Sequence, residues 1–210
     1  MIVAIDGPAG AGKSTVARRL ADRMGFRYLD TGAMYRALTW LALQRSLPLG
    51  DGEPLGELAR ANPVTFDEHG RVWIAGTDVT ASIRQARIDR QVPVVARHPA
   101  VREVMRERQR QLGSEGNVVI EGRDIGTVVA PDAEVKVYLN ADAAVRARRR
   151  QSERTDIGGD ALATDLRLRD QSDAGRMQPA PDAEQIDTTE LHVDDVVERI
   201  EQLVRERQPA

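Results

Sequence analysis

Short apolar runs alternate along this chain with longer stretches whose apolar positions recur at helical spacing. Ile2-Val3-Ala4-Ile5 is wholly apolar and reads as a buried strand. Val16, Ala17, Leu20, Ala21 and Met24 then fall on one face of a helix. Phe26 to Leu29 predicts a second strand. Ala33 to Leu43 predicts a second helix, with Met34, Leu38 and Leu41 on one side. Val118-Val119-Ile120 and Val135 to Leu139 predict two further strands, and Ile186 marks a fifth. Val193, Val196, Val197, Ile200, Leu203 and Val204 close the chain at helical spacing.

Strands that alternate with helices form a parallel sheet, and strands buried on both sides are apolar throughout. The expected fold is therefore α/β, a five-stranded parallel sheet with helices on both faces. Residues 47–91 break the rhythm. There Val64-Thr65-Phe66 and Val72-Trp73-Ile74 flank Asp67-Glu68-His69-Gly70, a good hairpin turn, and a short strand is expected near Asp78 to Thr80. This stretch predicts a small antiparallel β insert within a single domain.

Composition narrows the picture without naming a function. The 210 residues suffice for one substantial domain, and 3% aromatic content means a core of Leu, Val, Ile and Ala. A net charge of −3 gives no bulk case for nucleic acid or an anionic membrane. Without cysteine there are no disulfides or thiolate metal sites. The amino-terminal apolar run is too short for a signal peptide or a membrane span, so a cytoplasmic protein is expected. A monomer is expected because the sheet claims the helices' apolar faces.

The candidate chemistry starts after the first strand. Gly7-Pro8-Ala9-Gly10-Ala11-Gly12-Lys13-Ser14 matches G-x-x-x-x-G-K-[ST] in full. Glycines let main-chain N–H groups approach phosphate oxygens, and the following helix N-terminus favours an anion. Lys13 would reach the β- and γ-phosphates, and Ser14 would ligate Mg²⁺. Lys13 and Lys136 are the only lysines, which makes a lysine inside a motif more telling. The expected ATP-binding set is Gly7, Pro8, Ala9, Gly10, Ala11, Gly12, Lys13, Ser14 and Thr15.

A triphosphate site suits a nucleotide switch, a motor or a small-molecule kinase. The Asn-Lys-x-Asp signature of guanine switches is absent. A kinase needs cations around two phosphorylated substrates, and arginines stand at informative places. In Val119-Ile120-Glu121-Gly122-Arg123-Asp124-Ile125-Gly126-Thr127 an apolar strand runs straight into charges. Ligands of open α/β sheets bind beyond the carboxyl ends of strands, where Arg123 and Asp30-Thr31-Gly32 both fall. Arg36, Arg102, the group Arg146, Arg148, Arg149 and Arg150, and then Arg169 and Arg176 supply further positive charge.

With these pieces placed, the chain resembles the bacterial type of cytidylate kinase over nearly its whole length. The resemblance is carried by Ile5-Asp6-Gly7-Pro8, Leu29-Asp30-Thr31-Gly32-Ala33-Met34-Tyr35-Arg36, Gly122-Arg123-Asp124-Ile125-Gly126-Thr127-Val128-Val129, Pro131-Asp132-Ala133-Glu134-Val135-Lys136 and Ile186-Asp187-Thr188-Thr189. It implies phosphoryl transfer from ATP to CMP and dCMP on a P-loop kinase fold, with residues 47–91 as the nucleoside-monophosphate insert and 146–165 as a short lid. It implies that Arg36 and Arg123 hold the CMP phosphate, with Thr31 lining that site. Arg102 and Asp124 would contact cytosine, and Arg169 and Asp173 the ribose. Arg176 would lie nearer the phosphate. Arg146, Arg149 and Arg150 would belong to the lid over ATP. Lys13, Arg123, Arg149 and Arg176 are the catalytic candidates. Two residues depart from the pattern: Pro93 stands where many relatives have a base-contacting serine, and Glu121 where Asp is more usual.

Overall fold

The computed structural model describes residues 1–153, 159–175 and 177–208. In chain order its elements are β1 (Ile2–Asp6), α1 (Lys13–Met24), β2 (Arg27–Asp30), α2 (Thr31–Gln44), α3 (Gly52–Ala61), β3 (Thr65–Phe66), β4 (Val72–Ile74) and β5 (Thr77–Asp78). A 3₁₀ turn (Ser82–Arg84) leads to α4 (Ala86–Ala96) and α5 (Pro99–Gly113). β6 (Val118–Gly122), a π-helical turn (Ile125–Val129) and β7 (Val135–Asn140) follow. The chain then runs through α6 (Ala143–Glu153), α7 (Gly159–Asp173), β8 (Glu184–Asp187) and α8 (Val193–Arg207).

These elements form two compact units, one of residues 1–29 and 113–210, the other of residues 30–112. The first carries the expected five-stranded sheet, in the order β2-β6-β1-β7-β8. The pairings of β1 with β6, β1 with β7 and β7 with β8 are parallel. Strand pleating sends alternate side chains to opposite faces. Val3, Ile5, Val119, Val135, Val137, Leu139 and Ile186 pack against Val16, Leu20 and Ala21 of α1 and Val196, Val197, Ile200 and Val204 of α8. The intervening Ala4, Val118 and Ile120 are equally buried, which explains why these strands carry no polar alternation. Because the strands are parallel, Asp6, Gly122, Asn140 and Asp187 all end at one edge.

The second unit holds the three-stranded antiparallel sheet β3-β4-β5. Its hairpin turn is closed by Asp67, whose carboxylate accepts from the N–H groups of His69 (3.0 Å) and Arg71 (2.9 Å). The strands are two or three residues long, so α2 packs on β4 and α4 to complete the core. Leu55, Ile74, Ile83 and Ile88 are fully buried there.

Element bounds differ from the sequence reading in small ways. β2 is shifted by one residue, α2 extends through both ends of its predicted span, and β5 begins one residue earlier. Two helices, α3 inside the insert region and α4 running past its end at residue 91, were not predicted. α3 has Gly52 and Pro54 in its first turn, and α4 carries Pro93 within it, so each looks like a loop by composition.

Candidate active site

β1 ends at Asp6, and the glycine-rich loop turns directly into α1. Gly7 has φ +145°, and a Cβ there would sit 2.0 Å from the carbonyl oxygen of Leu139. Gly10 has φ +79°, with Arg146 main chain against it. A side chain at either position would push the loop off the sheet edge. The amino-terminus of α1 has no side-chain cap, which leaves its first N–H groups directed at the loop's concavity.

Lys13 opens α1 and is buried, its Nζ donating to the Pro8 carbonyl at 2.8 Å. Burial pulls its pKa from 10.5 down to about 7; the Arg123 guanidinium adds to this, while Glu121, Asp6 and Asp173 oppose it. Ser14 Oγ donates to Glu121 Oε2 at 2.9 Å, and Tyr28 Oη donates to the other carboxylate oxygen. Glu121 follows Val119 by two positions, so the pleat turns it to the face that α1 covers. That is why a carboxylate can end an apolar strand while only 4% exposed.

Arg123 leaves the end of β6 and donates from Nη1 to the Gly7 carbonyl at 2.8 Å and from Nε to Asp173 Oδ2 at 3.1 Å. The structure thus brings together Lys13, Ser14, Arg123 and Asp173. Asp124 stands at the start of the π-helical turn and is half-buried. Arg146 is buried under the loop and donates to the carbonyls of Ala141 (3.0 Å) and Ala9 (3.1 Å) and to Asp170 (2.7 Å). Arg149 donates to Thr188 Oγ1 (2.9 Å) and to the Thr188 carbonyl (2.6 Å). The Thr188 hydroxyl lies 3.1 Å from the Ala11 carbonyl and 3.0 Å from that of Asn140, joining the loop to the ends of β7 and β8.

In the second unit, Asp30 caps α2. Its Oδ1 accepts from the Ala33 N–H and its Oδ2 from Arg36 Nη2, each at 2.8 Å. Thr31 is buried at the start of α2, and Arg102 lies half-buried on α5. Arg176, the side chain of Arg169 and part of the expected 146–165 lid lie outside the described residues. Four contributors were missed by the sequence reading: Asp6, Tyr28, Asp170 and Thr188. Thr188 was visible inside a quoted motif, and Asp6 as the one acid in an apolar strand. Nothing in the sequence marked Tyr28 or Asp170.

Among the described residues, no group of three or more acidic or histidine side chains could hold a metal by itself. The Ser14 hydroxyl does suit a hard divalent ion. Because its proton is given to Glu121, its lone pairs remain available to a cation. No helix among the described residues is long and apolar enough to cross a membrane.

Comparison with known proteins assigns this arrangement to a family. Residues 3–206 match the cytidylate kinase family profile. The chain is 44% identical to a cytidylate kinase of Bacillus subtilis (strain 168), over 98% of this chain and 96% of that protein. It is also 47% identical to a bifunctional pantoate ligase/cytidylate kinase of Synechococcus sp. (strain JA-3-3Ab), where it spans 41% of that protein's length. Among solved structures, a shikimate kinase from Acinetobacter baumannii in complex with shikimate aligns with TM-score 0.51 at 16% identity, over 100% of this chain and 95% of that one. This last likeness concerns the fold.

Proposed function

The chain belongs to the cytidylate kinase family, and on that premise we propose that it transfers the γ-phosphoryl group of ATP to CMP and dCMP, giving CDP or dCDP and ADP. The observation that carries this reading is Arg123. Its guanidinium is bonded to the Gly7 carbonyl of the phosphate loop, yet the side chain keeps 28% of its surface exposed. A cation fixed at the rim of a triphosphate loop suits an acceptor that is itself an anion, whereas hydrolysis by water alone gives it no second phosphate to hold.

The acceptor needs little activation. The CMP phosphate has a second pKa of about 6, so it is already anionic at neutral pH. One of its oxygens attacks the γ-phosphorus, the bond to the β–γ bridging oxygen breaks, and ADP leaves. The obstacle is repulsion between two anions, so catalysis rests on position and charge rather than on a general base. In the first unit, Lys13 and the α1 N-terminus hold the β- and γ-phosphates. Ser14, oriented by Glu121, would hold the divalent ion, read as Mg²⁺, which when bound would draw charge off the transferring group. Arg123 and Arg176 take the acceptor phosphate, Asp124 the cytosine, and Arg169 with Asp173 the ribose. Arg149 serves the ATP side. In the second unit, Thr31, Arg36 and Arg102 are assigned to the acceptor nucleotide. The residue 47–91 insert and 146–165 lid, a monomeric state and a cytoplasmic setting belong to the same reading.

The test is ADP release with ATP, Mg²⁺ and CMP, dCMP, UMP, AMP, GMP or shikimate in turn. Release confined to CMP and dCMP is expected. Release without any acceptor would overturn the kinase reading in favour of a switch or motor.

A further inference from the structure

The carboxylate of Asp6 has no part in the chemistry above, yet it is 6% exposed at the edge where that chemistry is assigned. Its Oδ1 accepts from the Ile125 N–H and its Oδ2 from the Gly126 N–H, both at 2.8 Å. These are the first two N–H groups of the π-helical turn, which have no acceptor within their own helix. Asp124 occupies the position from which a side chain would normally cap them, and it makes no such cap. The cap is supplied instead across the sheet, from a residue 119 positions earlier in the chain.

Two consequences follow. The capping that aspartate usually performs at a helix start is done here by Asp6 and not by Asp124. The segment Arg123 to Gly126 is also tied at two adjacent residues, by Asp6 at the end of β1 and by the Arg123 bond to Gly7, the first residue of the phosphate loop. Burial pushes the Asp6 carboxyl pKa up, and the two N–H bonds offset this only in part. A strand end that needed only filling would be cheaper with an uncharged side chain. Asparagine could not serve, since one of its two head atoms is a donor and would face an N–H.

We propose that Asp6 is a positioning residue that caps the Ile125–Val129 turn from β1, holding Arg123 and Asp124 in register with the phosphate loop. This rests on the roles given above to Arg123 and Asp124. Asp6→Asn should raise KM for CMP about ten-fold or more, the range expected when a buried donor loses its acceptor. It should also narrow the preference for CMP over UMP, while KM for ATP moves less than about three-fold. Asp6→Glu keeps the charge but adds a methylene, and should fail in the same way. If Asp6 acts only as a negative charge near Lys13, Asp6→Glu restores activity and KM for ATP is what shifts; that result overturns the proposal. Amide exchange in the unmodified protein decides the matter even if the variants do not fold. The Ile125 and Gly126 amides should be strongly protected, and exchange at the rate of open turn amides would overturn the brace. A wild-type enzyme that ignores CMP would sink the kinase reading and leave the amide measurement to judge Asp6 by itself.

Discussion

The cations of the two units are held in different ways. In the first unit, Lys13, Arg123, Arg146 and Arg149 each donate to a main-chain carbonyl, those of Pro8, Gly7, Ala9 and Thr188 respectively, and Arg123 and Arg146 donate also to the carboxylates of Asp173 and Asp170. In the second, Arg36 donates to the carboxylate of Asp30, with both side chains largely buried. A carbonyl orients a cation without cancelling its charge, whereas a carboxylate cancels most of it at short range. In the first unit the carbonyl bonds fix the cations to main chain at the sheet edge, while a carboxylate offsets part of the charge of Arg123 and of Arg146. A phosphate reaching Arg36 must compete with Asp30, as one reaching Arg123 must with Asp173. The contrast is one of anchoring: Arg123 is fixed to main chain at Gly7, Arg36 to the side chain that caps its own helix.

The strongest way to break this contrast is Lys13→Ala, which should lower kcat/KM by about three orders of magnitude or more, because the proposed role sets its positive charge against the transferring group. Near-normal turnover would remove the phosphate loop from the reaction. The same variant tests the buried charge. The folded pKa is about 7 against 10.5 for a free lysine, so between those values the unfolded chain binds more protons. Wild-type stability should rise with pH through that window relative to Lys13→Ala in paired urea titrations. Parallel curves would mean that the lysine is not desolvated.

Arg123→Ala should cost about a hundred-fold or more in kcat, with the unfolding midpoint lowered by no more than about the few degrees that loss of its bonds to Gly7 and Asp173 accounts for. A protein that merely unfolds would make Arg123 a structural tie between β6 and the loop. Arg36→Ala should act mainly on KM for CMP, by about ten-fold, since loss of the Asp30 pair offsets part of the effect. A kcat loss equal to that of Arg123→Ala would erase the distinction between the units. Asp124→Ala has the smallest expected effect on turnover. It should reduce the ratio of kcat/KM for CMP over UMP by about ten-fold. An unchanged ratio would take Asp124 out of base recognition.

Legibility from the chain follows the range of the interactions concerned. The strand–helix alternation, the hairpin at Asp67 to Gly70 and the phosphate loop were all readable, since each is written within a few consecutive residues. α3 and α4 were not, because proline and glycine lower their local helix signal and only packing in the second unit overrides it. Arg146 illustrates the limit of reading a charge from its neighbours. As one of four clustered arginines it belonged to a lid by resemblance, and in the fold it is buried under Ala9.

What the sequence determined by itself was the fold class and the presence of a phosphate-binding loop, through apolar period and glycine spacing. The family resemblance added the candidate roles of Arg123 and Asp124. Tertiary structure alone decided the partners of the buried carboxylates. Glu121 looked like an unexplained charge after an apolar strand until the pleat turned it toward α1, where it meets Ser14 from 107 residues away and Tyr28 from 93. Asp6 looked like a strand end until the turn after β6 brought it two N–H groups. A buried carboxylate is tolerable only where donors converge on it, and convergence is a property of parallel strands meeting at one edge, which no local pattern encodes.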